Sequence, residues 1–428
     1  VATGPNSPKP ARPADAAKLS QRAHDEAKAA RAARRQKERE KAATPLPRLD
    51  ALSFAAAEER YRTDRARRRR KNAAFAAALA LLMLVSLCLG VSQTGLFYTP
   101  AQVWGCLAAW FRLNVVGLFV PSVALEKTAL MAANPMYHEV VTRMAYTVVT
   151  VVCGAMLACS GMLYQNVFRN PIAAPTMLGV QNGVSLGLVA FVWVFGTRAP
   201  YLDGWRYAFC FAGGLATLAL VAAGGKVASG KRPLNLVDML LVGTIVSQLA
   251  GTVVNYVVNY LFTSDYWLAY YELNNATDLD ASAGTVLFAL AVAAVSFAPV
   301  VLFRFRMNCV AFSDADMRLF GVNPTAMRFV ALAAGSLMIL TAQTLCGTVS
   351  MVSLVVPFAA RAVFGSEFRK QLLGNVLLGA LVLLVCRDLV SCIPFVGDGV
   401  PLGTMVTFVT LPAFVWVMAI AQRQWNDK

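Results

Sequence analysis

The sequence predicts an all-α integral membrane protein of about ten transmembrane helices, with the N and C termini cytoplasmic. Three observations carry that expectation. The 428-residue chain is 57% hydrophobic with a mean hydropathy of +0.56, too apolar for a water-soluble domain. Charge-free runs of membrane length recur from residue 73 onward. The basic residues gather on alternate sides of those runs.

Residues 1–72 carry 20 Lys/Arg against 9 Asp/Glu, most of the net charge of +16. They read as a basic, largely disordered cytosolic tail, with helix-forming composition at 15–43 and 51–70 separated by Pro45 and Pro47. The run at 65–71 abuts the first apolar segment and reads as a positive-inside anchor facing membrane lipid; no nucleic acid partner is expected. The first strongly apolar stretch follows a long polar leader, so it reads as an uncleaved span.

The spans follow in order: 73–97, 144–167, 175–196, 207–225, 239–263 and 281–303. An outer segment at 98–140 carries an amphipathic piece at 100–111. The charge-free run at 329–360 would be roughly 48 Å long as one helix, at about 1.5 Å per residue, too long for a single span. Gly347 near its middle predicts a hairpin of two. Spans at 371–391 and 400–421 complete the 73–422 membrane domain, leaving a short cytosolic end at 423–428. Inner loops then hold twelve basic residues, among them Arg169, Arg328, Arg361 and Lys370. Outer loops hold five: Arg112, Lys127, Arg143, Arg198 and Arg206.

Catalytic chemistry finds no purchase here. Nine cysteines form no C-x-x-C pair and read as small buried hydrophobes, while His24 and His138 lack ligand spacing, so no metal site is expected. Gly225 to Lys231 matches G-x-x-x-x-G-K, but a span precedes it and Arg232-Pro233 follows, the wrong context for a phosphate loop. The one charged pair inside a span, Arg387–Asp388, reads as an ion pair near its outer end. No carboxylate pair suited to ion coupling appears.

Two segments stand out. From Arg169 the chain reads Arg-Asn-Pro-Ile-Ala-Ala-Pro-Thr-Met-Leu-Gly-Val-Gln-Asn-Gly. Asn170, Pro171 and Pro175 make a turn at membrane depth, and Gly179, Gly183 and Gly187 recur every four residues, so one helix face can admit a close neighbour. This predicts an irregular, tightly packed passage. At 313–328, Ser313 suits an N-cap, with Asp314 and Asp316 in the first turn. Gly321 suits a stop, and Asn323-Pro324 a restart. The apolar Met317, Leu319 and Phe320 beside Arg318 read either as a docking knob or as an ordinary loop between two spans.

Together these pieces resemble the FecCD-type permease family of bacterial ABC importers for iron–siderophores, haem and cobalamin, over about residues 73–422. Asn170 to Gly183 resembles N-P-L-A-x-P-x-x-L-G-x-x-x-G-A. Gly154-Ala155 and Ser160-Gly161 resemble G-A-x-L-A-x-S-G, and Leu319 to Asn323 resembles S-L-G-V-N. Leu354 to Pro357 with Arg361 resembles G-L-x-x-P-H-x-x-R, Phe358 standing for the histidine. Pro401, Gly403 and Pro412 resemble the ending L-P-x-G…G-x-P-F.

The resemblance implies a cobalamin-permease-like fold and a transport subunit, not an enzyme. It implies import of an iron chelate (siderophore-bound iron or haem), with cobalamin import or an ion-coupled secondary transporter as alternatives. The implied partners are a second permease copy or paralogue, an extracytoplasmic substrate-binding protein and two cytosolic ABC ATPase subunits. The chain itself is expected to bind no cofactor; ATP and magnesium belong to the ATPases. By resemblance 313–328 is the ATPase-coupling loop, and Asn235, Leu236 and Val237 the cytoplasmic gate. Pro357 joins the glycine segment in the translocation path. Arg143 and Arg387 are the binding-protein docking residues.

Overall fold

The computed structural model describes residues 51–92, 95–115, 135–196, 203–230, 236–275, 283–392 and 400–426. The chain divides into two compact units, Val1–Arg69 and Arg70–Lys428. In the first, residues 51–69 are described and all are helical. Its exposed Arg62 and Glu58 pair at 2.8 Å one turn apart. The expected helix at 15–43 lies outside the described residues.

The described helices are α1 (Ala51–Cys88), α2 (Pro100–Val115), α3 (Pro135–Phe168), α4 (Val180–Phe195), α5 (Asp203–Ser229), α6 (Leu236–Tyr256), α7 (Ser264–Asn275), α8 (Ala283–Leu302), α9 (Asp314–Leu319), α10 (Pro324–Cys346), α11 (Met351–Phe364), α12 (Phe368–Cys392) and α13 (Leu402–Asn426). A π turn, Val257–Leu261, extends α6. Among the described residues seven stretches are long and apolar enough to cross a membrane, in α1, α3, α5, α6, α8, α10 and α12. The helix α4, the helix α11 and the Leu402–Val415 part of α13 are apolar but shorter.

One segment departs from the all-helical expectation. The stretch 73–97 is helical only to Cys88; Leu89–Ser92 (β1) and Gly95–Phe97 (β2) then pair antiparallel, Leu89 opposite Phe97 and Ser92 opposite Gly95. Gly90, Val91, Ser92 and Gly95 are poor helix formers, so the helix yields to an extended ribbon. Thr99 and Gln102 then start α2 with a reciprocal capping box: the Gln102 N–H donates to Thr99 Oγ1 at 3.4 Å, and the Thr99 N–H to Gln102 Oε1 at 2.9 Å.

The helices α3 and α10 form the centre of the second unit. Of their apolar stretches 78% and 72% is buried, against 22–28% for α5, α6 and α8. The chief partners of α3 are α12 and α10, and α4 packs on α5 and α6. Small residues permit these approaches. A Cβ on Gly154 of α3 would strike the carbonyl of Gly379 on α12, and one on Gly379 would strike that of Gly154. Pro357 within α11 cannot donate to the carbonyl of Ser353, four residues earlier. Gly161 of α3 packs against that same carbonyl, leaving no room for a side chain.

The run at 329–360 breaks where the sequence places the break. Gly347 ends α10 at φ 72°, ψ −160°, a region open to glycine, and α11 begins four residues later. The break is buried, so its freed backbone groups need partners. Gln343, itself buried, supplies two: its Nε2 donates to the Val349 carbonyl at 2.7 Å, and its Oε1 accepts from the Val349 N–H at 3.2 Å. Gln343→Leu strands both groups. It should cost about 2–5 kcal/mol and lower the unfolding temperature in detergent clearly below wild type; an unchanged transition would show that something else holds the break.

Candidate functional site

The Asn-Pro segment is built as a cap followed by a crossing. Arg169 ends α3 in the left-handed region at φ 51°, and the Asn170 N–H returns to the Gln165 carbonyl at 3.2 Å, a Schellman-type closure. Asn170 Oδ1 then accepts from the Ile172 N–H at 3.0 Å, with Pro171 exposed at the turn. Pro175 opens a buried 3-10 turn, Pro175–Leu178. The structure corrects one part of the glycine ladder. Gly179 is not on the helix face but at its entry, with φ 74°, a conformation strained for any L side chain. Gly183 and Gly187 do form the contact face: a Cβ on Gly183 would overlap Thr217 Oγ1 of α5, and one on Gly187 the Phe209 carbonyl.

The segment at 313–328 forms a small rigid corner. Ser313 caps α9 by accepting from the Asp316 N–H at 3.2 Å while donating to Asp316 Oδ2 at 2.6 Å. Gly321 turns the chain at φ 70°. Asn323 caps α10, accepting from Thr325 and Ala326 N–H groups at 3.1 and 3.3 Å, with Pro324 first in the helix. Met317 is not part of an exposed knob, as the sequence suggested; it is fully buried and anchors the corner from below. The exposed apolar groups are Leu319 at 84% and Phe320 at 63%, joined by Phe312 at 50%, whose ring lies 6.0 Å from that of Phe320.

The two segments are tied together. Asp314 accepts from Arg328 of α10 and also meets Arg169, whose Nη2 lies 3.3 Å from Asp314 Oδ1 and also donates to the Phe312 carbonyl. The Arg328 hydrogen bond, followed by the field of Arg328 and Arg169, holds the Asp314 carboxyl below its usual range. The corner is therefore fixed to the end of α3 and the start of α10 at once.

The helix α6 presents two different exposed faces. Leu241, Ile245, Leu249, Val253, Tyr256 and Tyr260 form an apolar one. Beside it Thr244, Gln248, Thr252 and Asn255 form a polar stripe spanning about 80° at 3.6 residues per turn, and Asn259 of the π turn follows it; all five are exposed. Three of these five satisfy themselves locally: Thr244, Thr252 and Asn259 donate to carbonyls of Leu241, Gln248 and Asn255 at 2.7–2.8 Å. Of the expected gate, Leu236 and Val237 form the first turn of α6, and Asn235 lies outside the described residues.

Arg143 and Arg387 line one polar cavity of about 240 Å³ between α1, α3 and α12. Neither stands free. Arg143 pairs with Glu139 at 3.5 Å, and the Arg387 guanidinium lies 4.9 Å over the Tyr146 ring. The Arg387–Asp388 ion pair expected from the sequence is replaced. Asp388 accepts from Ser86 Oγ of α1 at 2.6 Å, and its Oδ2 is buried with no hydrogen-bond partner among the described residues. Consecutive helical residues point about 100° apart, so these two side chains do not face each other.

The model of the FecCD transport family matches residues 78–419, the stretch holding every one of these features. The chain belongs to the FecCD transport family. A probable iron chelatin transport system permease protein of Helicobacter pylori is 28% identical over 309 residues, 72% of this chain and 87% of the relative. The vitamin B12 import system permease protein BtuC of Escherichia coli is 26% identical over 286 residues, 66% of this chain and 83% of the relative. A metal-chelate type ABC transporter solved in an inward-facing conformation shares the fold, with a TM-score of 0.62 at 19% identity, covering 82% of this chain and 99% of the other. This FecCD chain is thus a transport permease and a multi-pass protein of the bacterial inner membrane.

Sequence reading of this permease missed three things. The Gln343 clamp and the α6 stripe consist of ordinary polar residues whose meaning depends on what faces them. The third is the lock made by Arg361, which lies within α11 and not in a loop: it donates to Gln165 Oε1 at 3.2 Å while Gln165 Nε2 donates to the Leu354 carbonyl at 3.1 Å, tying the end of α3 to α11. The depressed Asp314 carboxyl gives a pH test. Its contribution is present above the ordinary carboxylate pKa of about 3.9 and is lost as pH falls through the lower folded value. Protease protection of 312–328 should hold down to pH 5 and fail only below about pH 4, and Asp314→Asn should loosen it at pH 7. Loss of protection already between pH 7 and 5 would contradict this.

Proposed function

We propose that this chain is one of two permease subunits of an ABC importer that carries an iron chelate into the cytoplasm, with ATP and magnesium held by two separate cytosolic ATPases. An extracytoplasmic binding protein delivers the cargo. The relative named for iron chelatin transport supports iron, and those named for vitamin B12 import make cobalamin the nearest alternative within the same mechanism. The ten apolar helices among the described residues read as ten spans, and the positive-inside pattern supports a cytoplasmic side for both termini, the Asn170 turn and α9. ATP-driven closure would bias the balance between outward- and inward-open states.

The observation that carries this reading is the α9 corner. Leu319 and Phe320 are exposed at the end and C-cap of a six-residue helix anchored by buried Met317 and by the Arg169–Asp314–Arg328 cluster. A rigid apolar knob at the cytoplasmic mouth suits docking to an ATPase and transmitting its movement. The α6 stripe supports a path: exposed polar side chains on a membrane helix face water or protein, while the apolar face beside them suits lipid.

Leu319→Glu and Phe320→Glu should leave insertion and basal ATPase activity of the assembled complex intact but cut coupled uptake at least about tenfold, the loss of roughly 1.4 kcal/mol of coupling. Undiminished uptake would sink the docking assignment. A second reading, ion-coupled transport, draws on the unpartnered Asp388 oxygen. Asp388→Asn separates the two: an ATP-driven importer keeps its uptake, whereas an ion-coupled carrier loses it.

A further inference from the structure

The stripe on α6 differs from its surroundings in charge as well as polarity. From 239 to 303 the chain holds four carboxylates and no Lys, Arg or His. The stripe itself is uncharged: two hydroxyls and three amides at Thr244, Gln248, Thr252, Asn255 and Asn259. The helix α7 follows directly after the π turn and exposes Asp265 and Glu272, between which the Trp267 and Tyr271 rings stack at 5.1 Å and 14°. A cargo moving along α6 would meet acidic groups at the α7 end and then neutral hydrogen-bonding groups.

We propose that the path selects metal chelates that are electrically neutral or positively charged, and rejects multiply anionic ones. This rests on the path reading of the α6 stripe. A polyanionic chelate leaving bulk water would find no fixed cation on the α6 stripe to replace its hydration, and the exposed carboxylates of α7 repel it before entry; Arg206 of α5, beside Leu273 and Asn274, is buried. A chelate whose metal charge is cancelled by its own ligands carries amide or hydroxamate oxygens instead. Gln248 and Asn255 offer those oxygens N–H donors, and self-bonded Thr244 and Thr252 compete little. On this view Gln248 and Asn255 are the residues that determine selectivity.

The test uses the full-length permease in membrane vesicles, with Gln248→Cys and Asn255→Cys compared in separate samples. Each is reacted with two small thiosulfonate reagents of similar size, one cationic and one anionic, and the rate ratio is divided by that for a free thiol. The expected result is a preference for the cation of about tenfold or more, the low end of what a focused field produces, falling sharply in the added Asp265→Asn, Glu272→Gln background. Equal rates would overturn the proposal while leaving the path reading intact. Failure of both reagents at both positions would overturn the path reading, and the proposal with it. In proteoliposomes with its ATPase and binding protein, uptake is normalised to binding-protein occupancy. An uncharged ferric trihydroxamate should then accumulate at least about tenfold faster than a trianionic ferric tricatecholate; equal rates for the two would refute the charge selection.

Discussion

Every irregular feature of this permease answers one constraint: backbone polar groups freed inside an apolar bundle must find partners there. The break between α10 and α11 is the clearest case. The charge-free run of 32 residues at 329–360 has no proline before Pro357 and would otherwise continue as helix past residue 347, and Gly347 alone only permits a turn. The turn persists because Gln343 returns to both polar groups of Val349. The exposed exit of α3 is closed in a related way: with Arg169 in the left-handed region, the Asn170 N–H donates to the freed Gln165 carbonyl, and Asn170 Oδ1 accepts from the Ile172 N–H of the turn.

Close packing is the second consequence. Where a helix loses a hydrogen bond, a neighbour without a side chain can come in against the freed carbonyl, as Gly161 does at Ser353 beneath Pro357. Where no bond is lost, glycine pairs such as Gly154 and Gly379 bring α3 and α12 together through backbone contact. Apolar burial contributes little to association in lipid, so such contact area must supply the affinity between helices. The centre made by α3 and α10 is therefore closely packed, and both capped turns hang from it: the Asn170 turn from the end of α3, and the α9 corner from the start of α10. Asp314 joins them through Arg169 and Arg328, so a push on Leu319 or Phe320 reaches both central helices.

Much of this was legible in the chain. The positions of the apolar helices, the helix break at Gly347 and the caps Ser313, Gly321 and Asn323-Pro324 follow from local chemistry: hydropathy over a membrane thickness, the conformational range of glycine, and oxygen side chains beside helix starts. Gly183 and Gly187 were legible as a contact face because four-residue spacing repeats on one side of a helix. Gly179 was misread from the same spacing, since periodicity does not tell a helical glycine from one that sets the entry to the helix. The strands after Cys88 were hidden in hydropathy, which does not separate an apolar ribbon from the end of an apolar helix.

The sequence by itself determined the class of protein, the order of its apolar helices and the caps and turns of the 169–183 and 313–328 segments, because each depends on residues within a few turns of one another. Only the tertiary structure decided which side chains share a partner. It buried Met317 and left Leu319 and Phe320 exposed, and gave Asp388 to Ser86 instead of Arg387. It set Arg143 and Arg387 around one cavity and left the polar stripe of α6 facing outward. Those outcomes depend on which helix lies opposite which, and that is fixed by packing between residues dozens to hundreds of positions apart.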